Sequence, residues 1–181
     1  MTSPPKGTTE RVGDPGPMAL DEFNAASEAV ADALLRPCLD VDRWIAAVMA
    51  GRPYRDREGV LAAAGEASEP LTPDEVGAAL AHHPRIGEMP RSTSAEAALS
   101  RSEQAGLDTG GDVQARLAEG NRAYEQRFGR VFLIRAAGRS SSEILVALHE
   151  RLGNEPETEL AVVGQQLREI ALLRLEGRVA Q

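Results

Sequence analysis

From Leu20 onward the apolar positions of the chain recur at steps of three and four, the period of a helix with one buried face. Phe23, Ala26, Val30 and Leu34 form the first stripe, and Pro37 ends it. "DVDRWIAAVMAGRP" places Trp44, Ile45, Val48 and Met49 on a second face, closed by Gly51 and Pro53. "DREGVLAAAGEA" predicts a shorter helix through Ala64. "LTPDEVGAALAHHP" carries a full start signal: Thr72 as N-cap, Pro73 at the first helical position and Glu75 completing a capping box. Pro84 stops that helix and pushes His83 toward an extended conformation. "STSAEAALSRSEQAG" predicts a helix capped by Thr93 or Ser94 and ended by Gly106. Another follows, with Asp112 as cap and Gly129 as stop.

"RVFLIRAAG" is apolar but has no evident strand partner, so it reads as a buried extended segment or helical turn. Ser140 and Glu143 open the next helix with a capping box. The last helix runs from Pro156 to about Arg174, with Leu160, Val163, Leu167, Ile170 and Leu173 facing inward. The expectation is an all-α, single compact domain of about seven or eight helices spanning residues 18–177. Residues 1–17, rich in Pro, Gly and Thr, read as a disordered tail, and 178–181 as a short C-terminal tail.

Composition narrows what such a domain does. A net charge of −8 argues against broad binding to nucleic acid or to acidic membranes. It still permits a small anionic ligand, because one buried arginine holds a carboxylate. Cys38 is the only cysteine, so no intramolecular disulfide forms, and a reducing, cytoplasmic setting is expected. No secretory signal is read at the N-terminus, and no apolar run reaches membrane-spanning length. No glycine-rich phosphate loop follows a strand, and no Gly-x-Ser-x-Gly elbow occurs.

The candidate chemistry lies around "HHPRIGE". A histidine at a helix end is often plain surface or core. Here Pro84 fixes the backbone just beyond His83, and the helix C-terminus favours a protonated imidazole. Rigid placement suits proton transfer. A metal pair is the weaker reading, since the adjacent His82 and His83 diverge by about 100° on a helix and nothing completes a ligand shell. Ser100, Glu103 and Gln104 fall at i, i+3 and i+4, on one helical face. That face is either solvated or a row of hydrogen-bonding groups able to read a ring of N–H and C=O groups. Arg174, between Leu173 and Leu175, either snorkels or enters a pocket. Arg85, Arg135 and Arg139 are rival anion binders, and spacing does not choose among them.

Together these pieces resemble the 2-oxo-4-hydroxy-4-carboxy-5-ureidoimidazoline (OHCU) decarboxylase family. "FNAAS", "CLDVDRWIAAVMAGRPY", "HPRIG", "SRSEQAGL", "NRAYEQRFG", "RLGNEPETEL" and "IALLRL" match its segments in order, over about residues 18 to 177. The resemblance implies an all-α fold, a homodimer and no metal or organic cofactor. It implies decarboxylation of the ureidoimidazoline to (S)-allantoin, the last step from urate. His83 would be the catalytic histidine and Glu103 its carboxylate partner. Pro84, Ser100 and Gln104 would contact substrate, backbone N–H groups of Leu133, Ile134 and Arg135 would bind ring carbonyls, and Arg174 would be the pocket arginine. The chain departs from the family at Pro37, where a cysteine is common, and at Arg130, where an apolar residue is usual. The rival readings are a hydrolase or isomerase acting on a related ureido or hydantoin compound, and a non-catalytic helical interaction module.

Overall fold

A computed structural model describes residues 13–81, 83–88, 93–107 and 110–181. His82 and residues 1–12 of the expected tail lie outside the described residues. Among the described residues there are nine helices: α1 (Leu20–Ala25), α2 (Glu28–Leu35), α3 (Asp42–Ala50), α4 (Arg57–Ala67), α5 (Pro73–Leu80), α6 (Ala95–Gln104), α7 (Gly111–Phe128), α8 (Ser141–Arg151) and α9 (Pro156–Arg178). Two-residue strands β1 (Met18–Ala19) and β2 (Val179–Ala180) pair in parallel. The all-α expectation holds, with more helices than the seven or eight expected.

The extra helix arises at Ala26. The stripe Phe23, Ala26, Val30, Leu34 is periodic, but Ala26 is extended (φ −62°, ψ 144°) and separates α1 from α2. The Ser27 hydroxyl accepts from the Val30 N–H, so a new helix start competes with continuation. Arg52 donates to the Phe23 and Ala26 carbonyls at 2.8 Å each, satisfying the end of α1. The Thr72–Glu75 and Ser140–Glu143 capping boxes form as expected. At α7 the cap is Gly110, not Asp112, which sits in the first turn, where its charge complements the helix dipole. Gly129 ends α7 in the left-handed conformation (φ 66°).

Two hydrophobic clusters share the interior. The larger joins α1 to α5 with α9 around Trp44, whose ring N–H donates to the Ala64 carbonyl at 2.8 Å. The smaller joins α7 and α8 with Ile86 and the segment 132–136. Gly120 lets α7 and α8 approach closely, since a Cβ there would lie 2.3 Å from Leu148 Cδ2. The apolar run after Gly129 is extended and buried through Phe132, Leu133, Ile134 and Ala136, matching the reading of it as a buried extended segment.

Both tail boundaries need correction. α9 continues four residues past Arg174, and the expected tail 178–181 begins inside the fold, with Arg178 and Val179 buried. Arg178 donates to the Leu34 carbonyl at 2.9 Å and pairs with Asp14, which belongs to the expected N-terminal tail. A buried guanidinium with a carbonyl and a carboxylate partner ties Asp14 and the end of α9 to α2. No helix among the described residues is long and apolar enough to cross a membrane.

Candidate active site

Helix α5 delivers His83. After the C-cap at Ala81 the His83 N–H still donates to the Leu80 carbonyl at 3.0 Å. Its ring Nδ1 lies 2.8 Å from the Ala79 carbonyl oxygen. A carbonyl only accepts, so Nδ1 carries the hydrogen of that bond, and in the neutral ring the basic lone pair is on Nε2. Nδ1 also lies 3.5 Å from the carboxylate of Glu96 on α6.

The turn after Pro84 is held by three side chains, one from α6 and two from α7. Gln104 Oε1 accepts from the Gly87 N–H at 2.9 Å, Gln114 Nε2 donates to the Gly87 carbonyl at 2.6 Å, and Asn121 Nδ2 donates to the Ile86 carbonyl at 3.0 Å. Gly87 has φ +81°, and a Cβ there would meet Leu117 Cδ1 at 3.3 Å. Glycine fits this position for both reasons. With its oxygen engaged by Gly87, Gln104 keeps its amide N–H groups as donors.

His83, Pro84, Ser100, Glu103, Gln104, Leu133 and Ile134 all line one cleft, closed by Ile86, Phe132, Ala136 and, from α9, Ile170. The cleft spans about 320 Å³ of space, part of it open to solvent. Seven of the nine residues singled out in the sequence therefore meet at one place, and two do not. Arg174 lies behind the wall, its side chain 1% exposed. It forks onto Glu103 (Nε to Oε1 2.6 Å, Nη2 to Oε2 3.0 Å), reaches Ser100 Oγ at 3.0 Å and donates to the Pro37 carbonyl at 2.9 Å. Such a bidentate pair fixes a carboxylate in position and orientation. The expected substrate arginine is here the clamp on Glu103.

Arg135 also differs from expectation. Its N–H donates to Gln166 Oε1 at 3.0 Å, and its half-exposed side chain faces Glu169. The Leu133 carbonyl is taken by Arg151 Nη1 at 2.7 Å. Among the described residues no hydrogen bond engages the N–H of Leu133 or Ile134, so both are available as donors. Arg151 is itself held by Glu159, which also accepts from the Tyr124 hydroxyl; burial and that bond push the Tyr124 phenol up. Arg85 is committed outside the cleft, 2.9 Å from Glu125, whose carboxyl it holds below the usual range.

Sequence reasoning missed Glu96, Gln114, Asn121 and the Arg151–Glu159 pair. For Glu96 a signal existed: it lies four residues before Ser100 and seven before Glu103, on the same helical face. No group of three or more His, Cys, Asp or Glu able to hold a metal occurs among the described residues.

The chain is similar to known proteins in sequence and in fold. A sequence model described as OHCU decarboxylase matches residues 24–176. The 2-oxo-4-hydroxy-4-carboxy-5-ureidoimidazoline decarboxylase of Amia calva is 36% identical over 135 residues, covering 72% of this chain and 77% of that protein. The uric acid degradation bifunctional protein TTL of Arabidopsis thaliana is 36% identical over 101 residues. That match covers 54% of this chain but 31% of the plant protein. A crystal structure of OHCU decarboxylase in the presence of (S)-allantoin superposes with a TM-score of 0.64 at 25% identity, covering 77% of this chain and 92% of that one. A structure of (S)-allantoin synthase shares the fold, with a TM-score of 0.66 at 17% identity over 91% of this chain and 54% of that one.

Proposed function

Because this chain belongs to the OHCU decarboxylase family, we propose that it releases CO2 from 2-oxo-4-hydroxy-4-carboxy-5-ureidoimidazoline to give (S)-allantoin in urate degradation, with His83 and Glu103 at the reacting centre. The observation that carries the site is convergence: His83 from the end of α5, Ser100, Glu103 and Gln104 from α6, and Leu133–Ile134 line a single cleft.

The chemistry requires little beyond proton handling. The substrate's carboxylate sits on a carbon that also carries a hydroxyl, next to a ring imine. The bond to the carboxylate breaks and CO2 leaves. Its electron pair moves into the imine, whose nitrogen gains a proton, leaving an enol. The hydroxyl then becomes a carbonyl by losing its proton, and the ureido-bearing carbon gains one on a single face. His83, with Nδ1 tied to Ala79, presents the lone pair of Nε2 to take the hydroxyl proton. Glu103, held by Arg174, accepts hydrogen bonds from the ring or ureido N–H groups and sets the face exposed to protonation. The N–H groups of Leu133 and Ile134 and the Gln104 amide receive carbonyl oxygens, on which negative charge grows as CO2 departs.

The electron sink belongs to the substrate, so the reading includes no metal or organic cofactor. It also includes a homodimer, as the family resemblance implies, and a cytoplasmic location. The single Cys38, buried and with its thiol pushed up to about 12 by burial, suits a reducing compartment. Light scattering on the purified chain tests the dimer. The decisive experiment is His83→Asn, scored for CO2 release and for the optical activity of the allantoin, because unassisted decay gives racemic product. Loss of about 10²–10⁴ in rate with racemic product supports the assignment. Retained stereospecific acceleration in a folded variant overturns it.

A further inference from the structure

The proposed reaction uses His83 and Glu103, but the structure joins them through two further groups. Glu96 Oε1 lies 3.5 Å from His83 Nδ1 and 4.0 Å from Arg174 Nη1, and Arg174 in turn forks onto Glu103. The order is imidazole, carboxylate, guanidinium, carboxylate. The Glu96 side chain is 18% exposed, so its charge acts across a mostly dry gap. It opposes the ring nitrogen that already points its hydrogen at Ala79, away from the nitrogen assigned to the substrate.

We infer that Glu96 is a positioning residue for His83: its carboxylate reinforces the Nδ1–H tautomer set by the Ala79 carbonyl and stabilises the imidazolium formed when Nε2 accepts the substrate proton. This rests on the assignment of His83 as the base. The charged and polar groups around the imidazole among the described residues bear on the balance. From α5 the Ala79 carbonyl holds Nδ1. From α6 Glu96 and Glu103 bring negative charge, and from α9 Arg174 brings a positive charge shared between them. Arg85, two residues on, is tied up by Glu125 of α7 and by Glu88, and Arg135 of the 132–136 segment pairs with Glu169. Among the described residues the carboxylate at ion-pair distance from Nδ1 is that of Glu96. Arg174 serves both acids: it clamps Glu103 by hydrogen bonds and lies at ion-pair distance from Glu96.

Glu96→Gln tests this, because it keeps the shape and removes the charge. Loss of a nearby opposite charge disfavours the protonated ring. The His83 imidazole should titrate about one pH unit lower by NMR, with signals assigned through His82→Gln, His83→Asn and His149→Gln. The acid limb of kcat/KM should move down with it, and kcat should fall about tenfold, the equivalent of one pKa unit of lost imidazolium stabilisation. KM should change little, and Glu96→Asp should restore part of kcat. An unchanged His83 titration and acid limb in a folded Glu96→Gln protein overturn the inference. So does a tenfold rise in KM at constant kcat, which would make Glu96 a substrate contact. The two readings fail separately: active His83→Asn protein removes the base assignment, whereas inactive His83→Asn with an unshifted Glu96→Gln profile removes only the role of Glu96.

Discussion

Replacing Arg174 by Met removes a guanidinium that is almost wholly buried and makes four hydrogen bonds: two to Glu103, one to Ser100 and one to the Pro37 carbonyl. Methionine fills much of the volume, so the loss is electrostatic rather than steric. Glu103, with a side chain 17% exposed, loses its counter-ion in a poorly solvated place. Breaking one partner of such a buried pair costs about 3–5 kcal/mol. The pair as a whole is worth far less, because an apolar replacement of both ends is often close to neutral. The double variant Arg174→Met/Glu103→Leu should therefore recover at least half of the loss, though both proteins should be inactive. Arg174→Lys should be intermediate, since an ammonium keeps the charge but cannot fork. Urea unfolding of the four proteins gives the energies, provided the slopes agree. A loss below about 1 kcal/mol for Arg174→Met would place the pair in the class of exposed ion pairs and refute the argument. Equal losses for the single and double variants would refute the claim that the cost is an orphaned Glu103.

Gly87→Ala should cost about 1–2 kcal/mol from the left-handed backbone alone, and kcat/KM should fall further because Gln104 is anchored on Gly87; activity unchanged at reduced stability would separate the two. Gly120→Ala should destabilise by about 1–3 kcal/mol through overpacking against Leu148, and Leu148→Ala in the same chain should make the substitution nearly harmless, read by thermal melting. The Glu75 carboxyl is held down to about 2 by its hydrogen bonds with Arg43. A depressed acid contributes stability above its ordinary range, near pH 4–5, and loses it as pH falls toward 2. The stability gap between the parent and Arg43→Ala should therefore narrow between about pH 5 and pH 2, to what the Arg43 bonds to the Ala67 and Pro70 carbonyls contribute, and a gap independent of pH would refute the coupling.

The face of α6 was legible because Ser100, Glu103 and Gln104 obey a helical spacing, and His83 because Pro84 marks where the helix must stop. Arg174 was legible as a special residue but not in its direction. A polar side chain flanked by leucines either snorkels or turns inward, and the choice depends on Glu103, seventy-one residues away in sequence. The pairing of Glu96 with His83 has the same origin, since no local rule ties a residue on α6 to the end of α5. The break at Ala26 escaped for the opposite reason. The apolar period runs through it unbroken, and only the capping strength of Ser27 distinguishes two helices from one. Arg178 and Val179 looked like a tail because four residues carry no periodicity of their own; their burial depends on Leu34 and Asp14.

The parallel pairing of Met18–Ala19 with Val179–Ala180 brings the two ends of the described fold side by side. In neighbouring strands the backbones run about 5 Å apart, and because a parallel pair needs a connection that runs back, a linker of about a dozen residues from Ala180 to Met18 would close this stretch into a continuous backbone ring. Closing a loop of some 160 residues removes about 5 kcal/mol of denatured-chain entropy in the simple loop model. Such a circle could then be reopened at an exposed turn such as Gly138, leaving the His83–Glu103 cleft on an uncut stretch of polypeptide.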